Sequence, residues 1–433
     1  MKWAKAPSPD NSPDHLSFTA LFGGQKSKMW WPLVIGVGIT SGIASAGYVE
    51  LLKQTTKVLG PNGFANWTHL VILTAVGLAI ALLVRFLGSP GDVELLVDNI
   101  HVGGRPADLR ALRTLIPVSI LGIAAGSAIG PEAPLVQTTG TIGNWIAGKA
   151  KVDEFDARIL AITGMASGFT VLFGAPLGAS LFALEILHRR GLEYYEALLP
   201  AVIGALSGWA VFAVLMRSGF HPVWQFPFVS SITFVDVGIG VAAGVAGAAI
   251  AIGFSWSVAG MRWSFSHLPG LSRPVVGGLV LGGLAFLSPY ALTFAEPQLQ
   301  HVAMFKVAVT TLGLALICKF LATSAVVAAG WRGGFIIPLF FMGATVGAIS
   351  SHLIGGHETV MIVSMMVATN VGVTKTPFGS TVVVAEMAGM KLLPPALIAA
   401  VISMFLTSRV SLIHTQRSRS RPVTDTRPVA DTH

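Results

Sequence analysis

The sequence predicts an all-α integral membrane protein, an inverted-topology repeat of two halves with interrupted and re-entrant helices. Three observations carry this prediction. The composition suits a chain in contact with lipid, charge-free stretches recur at the length of a membrane crossing, and two proline-anchored segments occur twice in the same order.

Composition sets the solvent. Of 433 residues, 53% are hydrophobic and 11% charged, whereas soluble proteins carry about 25% charged residues. Residues 114–131, 159–184, 197–216, 237–260, 274–294 and 392–408 contain no Asp, Glu, Lys or Arg. Each is close to the ~20 residues that one helical crossing needs. Glycines fall inside these stretches, as at Gly240, Gly244 and Gly247 or Gly277, Gly278 and Gly282. Small residues let membrane helices approach closely, so these positions read as helix contact faces.

The net charge of +8 lies largely in the tails, on Lys2, Lys5, Lys26 and Lys28 and on Arg409, Arg417, Arg419, Arg421 and Arg427. The positive-inside bias then makes both termini cytoplasmic and the number of crossings even. Basic tails beside apolar spans read as topology signals, and nucleic acid is not an expected partner. Residues 1–14 have no apolar core and do not resemble a cleavable signal peptide. A lone Cys318 excludes an internal disulfide and a cysteine metal cluster. The expected organisation is a cytoplasmic tail over 1–28, a membrane domain over 29–415 and a disordered cytoplasmic tail over 416–433. Localisation is the cell membrane, with multiple passes through the lipid bilayer.

The repeat is the most informative feature. Pro134-Leu-Val-Gln-Thr-Thr-Gly-Thr-Ile-Gly143 and Pro338-Leu-Phe-Phe-Met-Gly-Ala-Thr-Val-Gly347 share the step from proline to final glycine. Ala175-Pro176-Leu177-Gly178-Ala179 leads to Glu185, and Thr376-Pro377-Phe378-Gly379-Ser380 leads to Glu386, again with equal steps. Both pairs fall in nearly one register, which divides the chain into halves of about 30–217 and 231–413.

Membrane repeats of this kind are often transporters, with the substrate site at the repeat interface on helices broken by Gly and Pro. Residues 126–130 and 330–334 are such breaks, each running into a proline that begins a new helix. Broken backbone at membrane depth is tolerated where protein or a watery cavity surrounds it. Helices beginning at Pro131 and near Ile336 turn their N–H groups and partial positive charge toward the centre, an arrangement suited to a dehydrated anion. The other reading is that these prolines merely kink packed helices.

Glu132 is the leading functional candidate, because an acid among apolar neighbours at membrane depth is costly. Pro followed by Glu is also an ordinary helix start. In the functional reading its carboxylate occupies the anion's place at the helix starts, and protonation or displacement opens the path.

With these segments in view, the sequence resembles the CLC family of chloride channels and proton-coupled chloride exchangers, of the bacterial type without CBS domains. Gly130-Pro131-Glu132-Ala133-Pro134-Leu135-Val136-Gln137 is similar to the family's Gly-Lys/Arg-Glu-Gly-Pro-x-x-Gln segment, with Glu132 on the gating glutamate. Gly334-Phe335-Ile336-Ile337-Pro338 resembles the Gly-x-Phe-x-Pro segment. The resemblance spans about residues 30–413 and implies an all-helical homodimer with one pore per subunit. It implies an anion held by the backbone N–H groups of Ala133, Ile336 and Ile337.

Several positions depart from the family pattern. Gly-Ser-Gly-Ile-Pro falls near Leu87-Gly88-Ser89-Pro90-Gly91, with Ser89, a candidate anion ligand, displaced by one position. The aromatic of Gly-x-Phe-x-Pro falls on Ile336, and the pore tyrosine falls on Ile413, which brings no hydroxyl to the expected anion site. The inner proton-relay glutamate of the exchangers falls on Ile186, which favours a channel-like protein. A proton-coupled chloride or fluoride exchanger is the alternative, since some exchangers lack that residue.

The remaining candidates weigh less. Glu185 and Glu386 end apolar runs at equivalent places and read as helix-end contacts, and Arg332 and Lys319 suit either anion attraction or structural pairing. The histidines show no repeated ligand spacing, so neither a metal site nor a cofactor is expected. A coupled carrier of an organic solute needs more mid-span acids than this chain has. An intramembrane serine protease, suggested by Met165-Ala166-Ser167-Gly168, lacks the glycine expected two places before its serine. The chain is not expected to be an enzyme.

Overall fold

The computed structural model describes residues 29–61, 66–90, 109–188, 194–304, 307–413 and 416. The expected tails at 1–28 and beyond 416 lie outside the described residues. Within them the chain is all helix, with no β-strand. The first half contains α1 (Trp30–Leu59), α2 (Asn66–Leu87), α3 (Leu109–Ala124), α4 (Glu132–Ala150), α5 (Glu154–Phe173), α6 (Pro176–Glu185) and α7 (Leu198–Met216). The second contains α8 (Phe234–Ser266), α9 (Ser272–Leu287), α10 (Glu296–Met304), α11 (Val309–Ala328), α12 (Ile336–Ile354), α13 (Glu358–Thr374), α14 (Pro377–Ala388) and α15 (Leu393–Leu406).

Local chemistry explains where several of these helices start. Pro131 precedes α4, and Pro176 and Pro377 open α6 and α14, where a missing N–H costs nothing. Asp153 caps α5 by accepting from the Asp156 N–H, and Thr233 with Asp236 closes a capping box on α8.

Packing repeats between the halves. In the first, α4 lies on α5, and α7 lies on α1 and α5; in the second, α12 lies on α13, and α15 lies on α8 and α13. The repeated glycines explain the likeness. A Cβ on Gly143 would stand 2.2 Å from the Leu160 oxygen, and one on Gly347 would stand 2.5 Å from the Ile362 Cα. Each therefore lets the helix after the break press directly on its successor.

The halves meet through equivalent helices running in opposite directions. Gly77 of α2 faces Pro274 at the start of α9, while Leu70, earlier in α2, faces Gly282 further along. Helix α6 crosses α14 in the same sense, since the start of each meets the end of the other. Contact of like with like, antiparallel, is what a two-fold between inverted repeats produces.

Seven described helices are long and apolar enough to cross a membrane, and α9, α13 and α15 are shorter apolar helices. Their outward faces carry apolar side chains such as Val71, Leu78 and Phe86 on α2. Helix α6 has 10 residues, so at ~1.5 Å per residue it reaches only about half of a ~30 Å hydrocarbon core. That is the partial, re-entrant type of element expected from the sequence.

Candidate anion site at the helix starts

Each half breaks its chain in the same way before its central helix. Gly126 and Gly330 take left-handed backbone, with φ of 99° and 86°, which an L side chain adopts only with strain. Four residues later the two breaks join: Gly130 N–H donates to the Gly334 oxygen at 2.7 Å, and Gly334 N–H donates to Gly130 at 2.6 Å. This antiparallel bridge sets the starts of α4 and α12 side by side. Unwound backbone nearby is also satisfied, as it must be away from water. Thr323 Oγ1 donates to the Ala128 oxygen at 3.0 Å, and Thr293 N–H donates to Gly126 at 2.8 Å.

Glu132 lies at this junction and is fully buried. Its Oε1 accepts the Ile337 N–H at 2.6 Å, a bond from the first turn of the opposite half's helix. Its Oε2 has no hydrogen-bond partner among the described residues. Both bridging glycines make room for this carboxylate: a Cβ on Gly130 would stand 2.1 Å from Oε2, and one on Gly334 would stand 2.5 Å from it.

The neighbours of Glu132 line different cavities. Pro131 borders one of about 740 Å³, whose wall also holds Glu50, Lys53, Lys57, Phe294 and Glu296. Ala133 borders another of about 130 Å³, whose wall includes Gln137, Ile186, Arg332, Ile336 and Ile413. The carboxylate therefore sits at the partition between two open volumes.

The structure thus brings Glu132, Ala133, Ile336, Ile337 and Ile413 together. Ser89 does not join them. It is exposed after α2, its hydroxyl 3.5 Å from the Pro90 oxygen, and it borders neither cavity. Inserting proline after the serine, where the family pattern has glycine, accompanies this displacement.

Glu185, Glu386 and buried Lys319 hold the frame. Glu185 accepts the N–H groups of Phe378 and Gly379 at 3.2 and 2.6 Å, and Glu386 accepts those of Leu177 and Gly178 at 3.3 and 2.7 Å. Each half's glutamate thereby caps the start of the other half's short helix. Lys319 donates to the Leu292 and Thr293 oxygens at 2.8 and 2.6 Å, fixing the turn before α10. Ser167 lies fully buried against Gly208, so it packs α5 on α7.

Sequence reasoning assigned no role to Gln137, Arg262, Thr374 or Gln416. Gln137, Arg262 and Thr374 border the smaller cavity. Gln416 donates to the Ile186 and Thr374 oxygens at 3.0 and 2.8 Å, tying the end of the described chain to both halves. Gln137 falls on the last residue of the family segment, which gives it no role by itself, and Arg262, Thr374 and Gln416 lie outside every motif.

Inverted halves, paired helix starts and a buried carboxylate between two cavities define a membrane protein for anion transport. The chain belongs to the voltage gated chloride channel family, whose profile matches residues 76–408. A chloride/fluoride channel protein of Pseudomonas syringae pv. tomato is 25% identical over 90% of this chain and 86% of its own length. Among solved structures, a CLC-type fluoride/proton antiporter superposes with a TM-score of 0.81 at 21% identity, over 91% of this chain and all of the other. A slow cyanobacterial Cl⁻/H⁺ antiporter gives 0.79 at 17% identity, over 89% of this chain and 95% of its own.

Proposed function

We propose that the chain conducts chloride or a related small anion through a pore in each subunit of a homodimer, with Glu132 as a gate. The observation that carries this reading is the bond from the Ile337 N–H to a carboxylate standing between two cavities. A backbone donor at a helix start offers an anion partial positive charge without a fixed cation, so the ion binds and still leaves. While Oε1 occupies that donor the path is closed; when the carboxylate is protonated or displaced, an anion takes its place. Membrane orientation follows the basic tails, with both termini in the cytoplasm.

Conduction is channel-like in this reading, because Ile186, at the wall of the smaller cavity, has no proton to relay. A second reading, proton-coupled exchange, is favoured by the two antiporter structures this fold resembles. Chloride efflux from proteoliposomes, recorded with a pH-sensitive dye inside, separates the two. The channel reading expects chloride loss without stoichiometric proton uptake, and a Glu132→Ala variant that still conducts but has lost its pH response. Proton uptake in fixed ratio to chloride in the wild type makes the protein an exchanger; an unchanged pH response in the variant removes Glu132 as the gate.

A further inference from the structure

The smaller cavity lacks what the family resemblance would supply for an anion. Ile413 stands in place of a tyrosine, Ser89 is elsewhere, and much of the wall is apolar, including Phe169, Ile186 and Leu412. An anion leaving water needs N–H or O–H donors in exchange for its hydration. Gln137 and Arg332 on the wall can provide them. Gln137 lies on the second turn of α4, only 3% exposed, and its Oε1 has no hydrogen-bond partner among the described residues. A buried carboxamide oxygen without a donor is unfavourable, and the same amide carries two N–H donors that an anion can accept. Arg332 lies two residues before the bridging Gly334 and is partly buried. Its backbone is held by the preceding residue, Trp331, whose Nε1 donates to the Pro274 oxygen at 2.9 Å.

We propose that Gln137 and Arg332 form a side-chain site for a small monovalent anion in this cavity, in place of the missing hydroxyls. The inference rests on the anion-transport reading and deepens it. Charge on the wall agrees: the described lining residues include two arginines, Arg262 and Arg332, and no Asp or Glu. Exposed Arg262 at the end of α8 adds long-range attraction, while Gln137 and Arg332 supply direct contacts. Unlike the backbone donors at the Glu132 junction, this site is built from side chains and can be altered without touching the gate.

The test is calorimetric titration of the full-length protein in detergent with sodium chloride, alongside chloride flux from proteoliposomes. Gln137→Leu is expected to weaken chloride binding about tenfold, the usual scale for losing a hydrogen bond to a charged group. Gln137→Glu, of the same shape but carrying negative charge, weakens it further. Arg332→Met also weakens it, and Arg332→Lys restores much of the loss, which a purely structural role for Arg332 does not predict. A wild type that binds and transports chloride, with Gln137→Leu and Gln137→Glu binding it equally well, overturns the site. A wild type that carries no anion at all overturns the transport reading itself, a different outcome in the flux arm.

Discussion

At the scale of single residues, the account turns on how little space surrounds the Glu132 carboxylate. Gly334 is a glycine because a side chain there would collide with Oε2. Gly334→Ala should therefore push the carboxylate off the Ile337 N–H and raise resting chloride flux in liposomes. The double variant with Glu132→Ala should conduct no faster than Glu132→Ala alone, since both changes remove one obstruction. Additive increases would mean that Gly334 acts elsewhere. Glu132 was legible in the sequence because an acid in an apolar break is conspicuous. Gln137 was not, because an amide on a helix is unremarkable until a cavity is seen beside it. The sequence suits Lys319 to either attraction or structure, and its two carbonyl partners across a turn decide for structure.

At the scale of elements, the two short helices are the clearest case of reciprocity. Glu185 and Glu386 each accept two N–H groups from the opposite helix start, bonds strengthened by the charge on the acceptor. Replacing Glu386 with Gln keeps the shape and removes the charge. It should cost about 2 kcal/mol of stability, the range for hydrogen bonds to charged groups, read as a lower midpoint in thermal unfolding in detergent. Anion selectivity should stay as it was, because neither cavity is bordered by Glu386. A normal melting temperature with altered selectivity would reverse this assignment. The sequence showed that these two segments were equivalent, from proline to glutamate. It did not show that they touch, since contact between residues about 200 positions apart is a property of the fold. Helix α10 is not legible either: residues 296–304 mix Glu, Gln and His with few apolar side chains and carry neither a membrane signal nor a repeated motif.

At the scale of the whole molecule, the inverted repeat puts two helix starts at one point. Antiparallel contact between α2 and α9, between α6 and α14, and at the Gly130–Gly334 bridge repeats one symmetry three times. The division into halves was legible because Pro and Gly are the residues that breaks demand; the antiparallel sense became visible only in these contacts. Orientation in the membrane is a separate prediction. After Cys318→Ser, single cysteines introduced as Ser8→Cys and Ser418→Cys should react with an impermeant maleimide only from the cytoplasmic face. Labelling from outside at either position would refute the expected topology.

The central claim is that the Glu132 carboxylate occupies an anion's place. Diffraction from Glu132→Ala crystals grown in bromide tests it most directly, through the anomalous signal of the ion. The account predicts a bromide peak within hydrogen-bonding distance of the Ile337 nitrogen, at a position the carboxylate fills in the wild type. Well-ordered density with no bromide at that nitrogen, and the Ile337 N–H bonded to protein instead, would contradict it.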